Sequence, residues 1–297
     1  MKIGVRGLIL PSIALLFVSS ALRADEGWRP YHSEFGGATV SAHYVHLTME
    51  LDPEFQKHQR ENLQQLHDLC KLGIDLGDDP GPYQPLPAGG IPEKTWFEDL
   101  EIYYAAGKSV AISSATKVEI DSRRDIHRKQ GYVGSCGLRR ASGKTRRLID
   151  GSLHCEETLR AEKGKSPPSC RNVVRLPSNE VDALSPETLA VLRGVGGGTM
   201  ALLAPTGTFK TIAGMRCEVF GSSPLVQKCM ATPKSDLPHQ RSAHHLERPG
   251  ILLQVSFDKF HTFTAREVVL DLQVSREIFR HPDGAVIVRS SPRPFLK

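Results

Sequence analysis

Leu100-Glu-Ile-Tyr-Tyr-Ala-Ala-Gly-Lys-Ser-Val-Ala-Ile-Ser113 is the stretch that decides the fold class. Two runs rich in β-branched and aromatic residues flank Ala-Ala-Gly-Lys, a combination that predicts a hairpin. Immediately beyond it, Thr116-Lys-Val-Glu-Ile120 alternates polar and apolar residues with the period of a half-buried strand. The same grammar recurs downstream in Phe209–Ala213, Arg216–Phe220, Ile251–Phe257 and Thr199–Ala204. It is clearest where Val268, Leu270, Leu272 and Val274 alternate with mainly polar neighbours. His281-Pro-Asp-Gly284 predicts a turn, and Ala285-Val-Ile-Val288 a returning strand.

Upstream, Thr39 to Met49 is strand-like, and Asp52-Pro53 has the form of an N-cap followed by proline at the first helical position. A helix from Pro53 to Leu72 follows, with Leu63, Leu66 and Cys70 on one face and Phe55 and Leu69 near it, and Gly73 as the stop. Pro80, Pro82, Pro85, Pro87 and Pro92 mark residues 73–95 as a linker or extended loop, and Pro82 and Pro85 have the spacing of a proline-rich recognition ligand. A short second helix is predicted over 185–193, capped by Ser185 and ended by Gly194, with Val195–Gly198 as a joint. The expected architecture is α+β and β-rich: a curved antiparallel sheet with one N-terminal helix and the short second one. A helical region and linker (25–95) precede a β-rich domain (96–297), with halves 96–194 and 199–290.

The chain has 297 residues, 39% hydrophobic and 24% charged, a globular balance that excludes collagen, coiled coil and wholesale disorder. Residues 1–24 read as a secretory signal: Lys2 and Arg6 lead, Leu8 to Val18 form a short apolar core, and Ser19, Ser20, Ala21 and Ala24 are small residues near a cleavage point. The formal charge of +5 shrinks on removal of this segment, because loss of Lys2, Arg6 and Arg23 leaves 35 basic residues against 33 acidic ones, a net of +2. Strong electrostatic affinity for nucleic acid loses its main support. The expected location is periplasmic or extracellular.

All six cysteines, Cys70, Cys136, Cys155, Cys170, Cys217 and Cys229, lie after that segment. An even count in an oxidising compartment favours disulfides, and six cysteines allow 15 pairings. A short internal similarity bears on the choice. Residues 143–156 and 207–218 each contain a glycine turn, an apolar stretch, a second glycine and a Cys-Glu pair, and each is followed by another cysteine. If the similarity is a repeat, it implies Cys155–Cys170 and Cys217–Cys229, leaving Cys70–Cys136.

Residues 207–233, with Thr-Ile-Ala-Gly before Cys217-Glu, and residues 265–284, with a strand followed by Phe-Arg-His-Pro, resemble exported bacterial β-sheet domains of unknown function of the lipoprotein-carrier type. The resemblance implies a curved antiparallel sheet with a concave apolar face. It covers about a third of the chain and carries over no functional residues, and Cys229 departs from its pattern.

Catalytic signatures are sparse. Cys136, between small residues, is a candidate nucleophile with His127 or His154 as base, although a disulfide near a tight turn is the preferred reading. His239, His244 and His245 are candidate metal ligands; His43 and His46 point to opposite faces of a strand. Arg139, Arg140, Lys144, Arg146 and Arg147 are candidates for an anionic surface. The pairs Glu98-Asp99 and Glu156-Glu157 support no acid–base assignment. No P-loop, Gly-x-Ser-x-Gly or dinucleotide fingerprint is present, and no cofactor is implied. The leading expectation is a soluble exported cell-envelope protein that binds or scaffolds, its partner being an apolar ligand or an envelope protein. A thiol- or metal-dependent hydrolase is the alternative, and a structural surface or appendage component the third reading.

Overall fold

The computed structural model describes residues 29–75, 83–124, 132–133, 135–161, 164–172, 205–221, 227–232, 250–256 and 260–288. The signal-like segment, the helix expected at 185–193, the joint at 195–198, the strand at 199–204 and the histidines 239, 244 and 245 lie outside these residues. Two compact units are distinguished, Met1–Pro30 and Tyr31–Lys297, and the first is described only at Arg29 and Pro30.

Within Tyr31–Lys297 the chain runs through β1 (Thr39–Leu51), α1 (Pro53–Asp75), β2 (Trp96–Ala105), β3 (Lys108–Ile120), β4 (Arg123–Arg124), β5 (Tyr132–Val133), β6 (Leu138–Asp150), β7 (Leu153–Arg160), β8 (Ser169–Asn172), β9 (Pro205–Ile212), β10 (Met215–Phe220), β11 (Gln227–Ala231), β12 (Ile251–Ser256), β13 (His261–Ser275) and β14 (Val286–Val288). Twelve of these strands form one open, mostly antiparallel sheet in the order β14-β8-β7-β6-β3-β2-β1-β13-β12-β11-β10-β9, and β4 and β5 pair separately. Among the described residues α1 is the one α-helix, and 3₁₀ turns occupy Tyr31–Glu34 and Arg276–Phe279.

The hairpin expected from residues 100–113 is β2–β3, with Leu100 opposite Ser113 and Tyr104 opposite Ser109. The segment Thr116–Ile120 is not a separate strand: it continues β3, because Trp96 to Glu98 extend the partner strand opposite Ala115 to Lys117. The central strands bury both faces, and alternation sorts their side chains into two clusters. Val45, Leu47, Ile102, Tyr104 and Phe263 join residues of β10, β11 and β12 on one face. Ala42, Tyr44, Tyr103, Val110, Ile112 and Leu148 join Tyr31, Cys155, Cys170, Ile278 and Phe279 on the other. On the first face the Tyr104 hydroxyl accepts from the Leu252 amide at 3.2 Å, although three ladders separate β2 from β12.

The helix starts as its sequence dictates. The Asp52 carboxylate accepts from the amides of Glu54 and Phe55 at 2.9 and 3.1 Å, satisfying two of the first-turn donors. Its buried stripe differs from expectation. Leu63, His67, Cys70 and Gly73 face inward, whereas Leu66 and Leu69 are 39% and 47% exposed. The Cys70–Cys136 bond fixes the helix's rotation, and Gly73, buried on the same face, continues the helix to Asp75 instead of ending it. The described part of the proline-rich segment is docked: Gln84 donates to the Ser135 carbonyl at 2.8 Å, and Leu86 and Ile91 pack beside Leu63, Val118 and Ile120.

The disulfides are Cys70–Cys136, Cys155–Cys170 and Cys217–Cys229, the set implied by the internal similarity. Both similar segments are hairpins, β6–β7 and β9–β10, and each second strand is bonded to the strand that follows it. Three disulfides fit a non-cytoplasmic, oxidising compartment. No helix among the described residues is long and apolar enough to cross a membrane. The expected return of Ala285–Val288 onto the preceding strand does not occur. The 3₁₀ turn at Arg276–Phe279, capped by Ser275, redirects the chain, and β14 pairs in parallel with β8 at the opposite edge.

Candidate ligand-binding groove

A groove of about 380 Å³ opens on the β10–β12 side of the sheet. Its floor is set by strand alternation. Glu98 and Leu100 of β2, Ala111 and Ser113 of β3, and Thr145 and Arg147 of β6 line it, with Ser113 directly opposite both Leu100 and Thr145 in the ladders. Met49 and Phe263, cross-strand partners on β1 and β13, form one wall, and Trp96 and His261 form the end. The volume lies within the range of small-ligand sites, and the lining combines apolar surface from Met49, Trp96, Leu100, Ala111 and Phe263 with the polar groups of Glu98, Ser113, Thr145, Arg147 and His261.

The end wall is an aromatic cluster. Trp96 meets His261 edge to face with centroids 4.9 Å apart, His261 meets Phe55 at 4.8 Å, and Phe55 stacks on Phe260 at 5.1 Å. Lys117 Nζ lies 3.8 Å from the Trp96 ring centroid, a cation–π contact. Trp96 Nε1 is buried with no hydrogen-bond partner among the described residues, which leaves one donor at the groove wall unused. Ser113 donates to Glu98 Oε1 at 2.7 Å, so the floor's carboxylate is oriented before any ligand arrives. At the rim, Arg147 donates to Glu156 Oε1 at 3.4 Å and remains largely exposed.

A second depression of about 300 Å³ continues along the same face of the β3–β6 ladder, lined by Ala115, Lys117, Glu119, Arg139, Ala141 and Gly143. Small side chains at Ala111, Ser113, Ala115, Ala141 and Gly143 keep this face low, and Lys117, which lines the second hollow, reaches over the Trp96 ring of the first.

The opposite face is closed by a buried polar lock. Glu101 accepts from the Tyr103 hydroxyl at 2.6 Å and from the Tyr31 amide at 2.8 Å. Burial pushes the Glu101 carboxyl above the usual carboxylate range, and these hydrogen bonds offset only part of the shift. Burial likewise pushes Tyr31 up to about 12 and raises Tyr44 and Tyr103, with the Glu101 charge adding to the rise in both of the latter. It lowers His32, whose ring stands beside Tyr103. These groups pin the Tyr31–Glu34 turn to the sheet.

The basic candidates do not share a face. Strand alternation puts Arg139 and Arg147 toward the grooves and Lys144 and Arg146 on the lock side. Arg139 pairs with Glu119, Lys144 with Glu34, Arg146 with Glu157, and Arg147 with Glu156. Arg146 is almost wholly buried and also donates to the carbonyls of Ile278 and Arg280. A single anionic-surface patch is therefore replaced by four ion pairs on two faces. Arg140 is exposed on β6. Cys136, bonded to Cys70 and fully buried in a tight turn, carries no thiol for nucleophilic attack. His43 and His46 are held apart, His43 accepting from the Asp271 amide and His46 paired with Asp99 at 2.9 Å. No group of metal-ligating side chains converges among the described residues. Glu98 faces the groove and Asp99 faces His46, so that adjacent pair is also split.

The aromatic end wall escaped sequence reading. Phe55, Trp96 and His261 belong to three elements far apart in the chain. The one local sign was Trp96 in register with Glu98 and Leu100 on the same strand face.

No family model matches the chain, and no curated protein does. Among solved structures it is similar to PNGF-II in a C2 space group, at 8% identity and a TM-score of 0.33 over 85% of this chain and 31% of that one. The chain thus spans about a third of the length of the structure it matches. A likeness of that degree contributes nothing to the functional assignment.

Proposed function

We propose that this chain is an exported binding protein whose ligand places an apolar body in the groove between Trp96 and Arg147. The observation that carries the reading is the groove's composition: Met49, Leu100, Ala111 and Phe263 supply apolar surface beside the Trp96 ring, while the exposed Arg147 at the rim is placed for an anionic group. Residues 1–24 support export, as do the three disulfides. The resemblance of residues 207–233 and 265–284 to lipoprotein-carrier-like domains supports an α+β fold with a curved sheet and a concave apolar face. The cluster that joins β1 and β2 to β10, β11 and β12 is consistent with that curvature.

The chain has two tryptophans, so Trp28→Phe leaves Trp96 as the sole indole reporter. Titration of that variant with dodecanoate is expected to change Trp96 emission saturably, and native mass spectrometry to show one retained ligand. Leu100→Arg, which puts a charge on the groove floor, is expected to weaken binding by at least tenfold, about 1.4 kcal/mol. No saturable change, together with an unliganded native mass, overturns the reading.

A further inference from the structure

Every described cysteine is disulfide-bonded and nearly inaccessible, yet the three bonds have different neighbours. Cys155 and Cys170 face one another directly across the β7–β8 ladder. His281, from the turn after the second 3₁₀ segment, brings Nδ1 to 3.8 Å from Cys155 Sγ. Its other nitrogen, Nε2, is 2.8 Å from Asp150 Oδ2, and Lys108 Nζ lies 2.8 Å from the same oxygen. Partial burial raises the Asp150 carboxyl, but hydrogen bonds and charge from Lys108 and His281 outweigh it and hold the group below its ordinary value. An ionised carboxylate, an imidazole and a sulfur therefore stand in line. Among the described residues, no histidine hydrogen-bonds to a sulfur of Cys70–Cys136 or Cys217–Cys229.

Asp150 accepts only if Nε2 carries hydrogen. A disulfide sulfur offers only lone pairs, so Nδ1 makes a favourable contact with Cys155 when it too is protonated. That contact is weak toward a neutral disulfide and strong toward a thiolate. A group of this kind stabilises charge as it develops on sulfur.

We propose that Cys155–Cys170 is a thiol–disulfide exchange site for small-molecule thiols, with Cys155 as the leaving sulfur and His281 as its catalytic partner. An external thiolate attacks Cys170 Sγ. A bond forms between the entering sulfur and Cys170 as the Cys155–Cys170 bond breaks, and the electron pair departs on Cys155 Sγ. The imidazolium Nδ1–H of His281 donates to that thiolate and passes it a proton when the thiol is the stable form. The entering sulfur is oxidised, Cys155 is reduced, and Cys170 carries the mixed disulfide. Access comes from the outer edge: β8 has four residues and its outer partner β14 three, so this corner opens at lower cost than the long central ladders. The solvent side is already present in His281, which is 43% exposed. The proposal is independent of the groove.

The test uses the oxidised mature chain, reduced glutathione, acid quenching, alkylation and peptide mass spectrometry. Cys155–Cys170 is expected to open about tenfold faster than Cys217–Cys229, with glutathione on Cys170 and alkyl label on Cys155. His281→Ala is expected to remove that rate advantage and scatter glutathione over both cysteines, while Cys217–Cys229 keeps its rate as the internal check on folding. Asp150→Asn, which keeps an acceptor but removes the charge, is expected to fall between the two. Glutathione on Cys155 in the wild-type chain overturns the proposal. So does reduction of all three bonds at one rate, or an unchanged site preference in folded His281→Ala. Should His281→Ala fail to fold, the wild-type site preference and Asp150→Asn decide.

Discussion

The two segments that share a sequence pattern, β6–β7–β8 and β9–β10–β11, are each a glycine-turned hairpin bonded to its next strand, yet they sit in the sheet in opposite senses. In the first, the leading strand β6 lies inside and β8 near the edge; in the second, β9 is the edge and β11 lies inside. The consequence is physical. β6 is flanked on both sides and buries Arg146, which requires Glu157 and two carbonyls to neutralise and satisfy it. β9 is exposed along nearly its whole length, and β10 and β11 bury Cys217, Val219, Phe220, Cys229, Met230 and Ala231 together with Lys228. Similar local chemistry thus yields a deeply buried, ion-paired arginine at one end and a mostly apolar interior with Lys228 at the other, because position in the sheet decides what each strand hides.

The largest expected effect breaks the charged end. Arg146→Ala strands the Glu157 carboxylate and the Ile278 and Arg280 carbonyls, and is expected to cost about 3–5 kcal/mol in urea unfolding. At the apolar end, Leu253→Ala removes a fully buried side chain of β12 and is expected to cost about 2–5 kcal/mol by the same assay. The loops closed by Cys155–Cys170 and Cys217–Cys229 span 15 and 12 residues, so chain entropy assigns both bonds about 3 kcal/mol. Paired Cys→Ala variants are therefore expected to lose nearly equal stability, and a large inequality locates an enthalpic difference between the two ends.

Glu101 sharpens the comparison through pH. Its folded-state carboxyl is raised, so the folded chain holds the proton more tightly than the unfolded one. The resulting stabilisation is fully present below the ordinary value of 4.5 and is lost as pH rises through the elevated folded value. Glu101→Gln keeps an acceptor for Tyr103 and Tyr31, and is expected to flatten this slope in unfolding curves at successive pH values. The smallest effect compares the two hairpin turns. Ala213 holds φ +47° where the other turn uses Gly151 at +59°. Ala213→Gly is expected to stabilise by about 0.5–1 kcal/mol, and Gly151→Ala to destabilise by a similar amount, in thermal unfolding.

Much of the chain was legible residue by residue. The β2–β3 hairpin followed from β-forming residues around Gly107, the helix start from Asp52-Pro53, and the disulfides from a repeated glycine–cysteine pattern. Each is a short-range signal. The helix stripe differs from its pattern because the Cys70–Cys136 bond ties the helix to the β5–β6 connection with Leu66 and Leu69 outward, a constraint that does not come from the helix itself. The basic cluster looked like one patch because five cations lie within nine residues, but a strand sends neighbours to opposite faces and the acids that meet them come from Glu34, Glu119, Glu156 and Glu157. The pattern of β14 predicts a local return although its partner β8 lies across the sheet, since parallel pairing has no local signature.

What the sequence determined by itself was strand content, the helix cap, the even cysteine count and the compartment that such cysteines favour, all of which depend on composition or on residues a few positions apart. Only the tertiary structure decided which face each strand buries, where Trp96 meets His261 and Phe55, and that His281 stands between Asp150 and Cys155. Those placements follow from ladder order and sheet crossing, in which residues far apart in the chain meet, and no local pattern encodes that order.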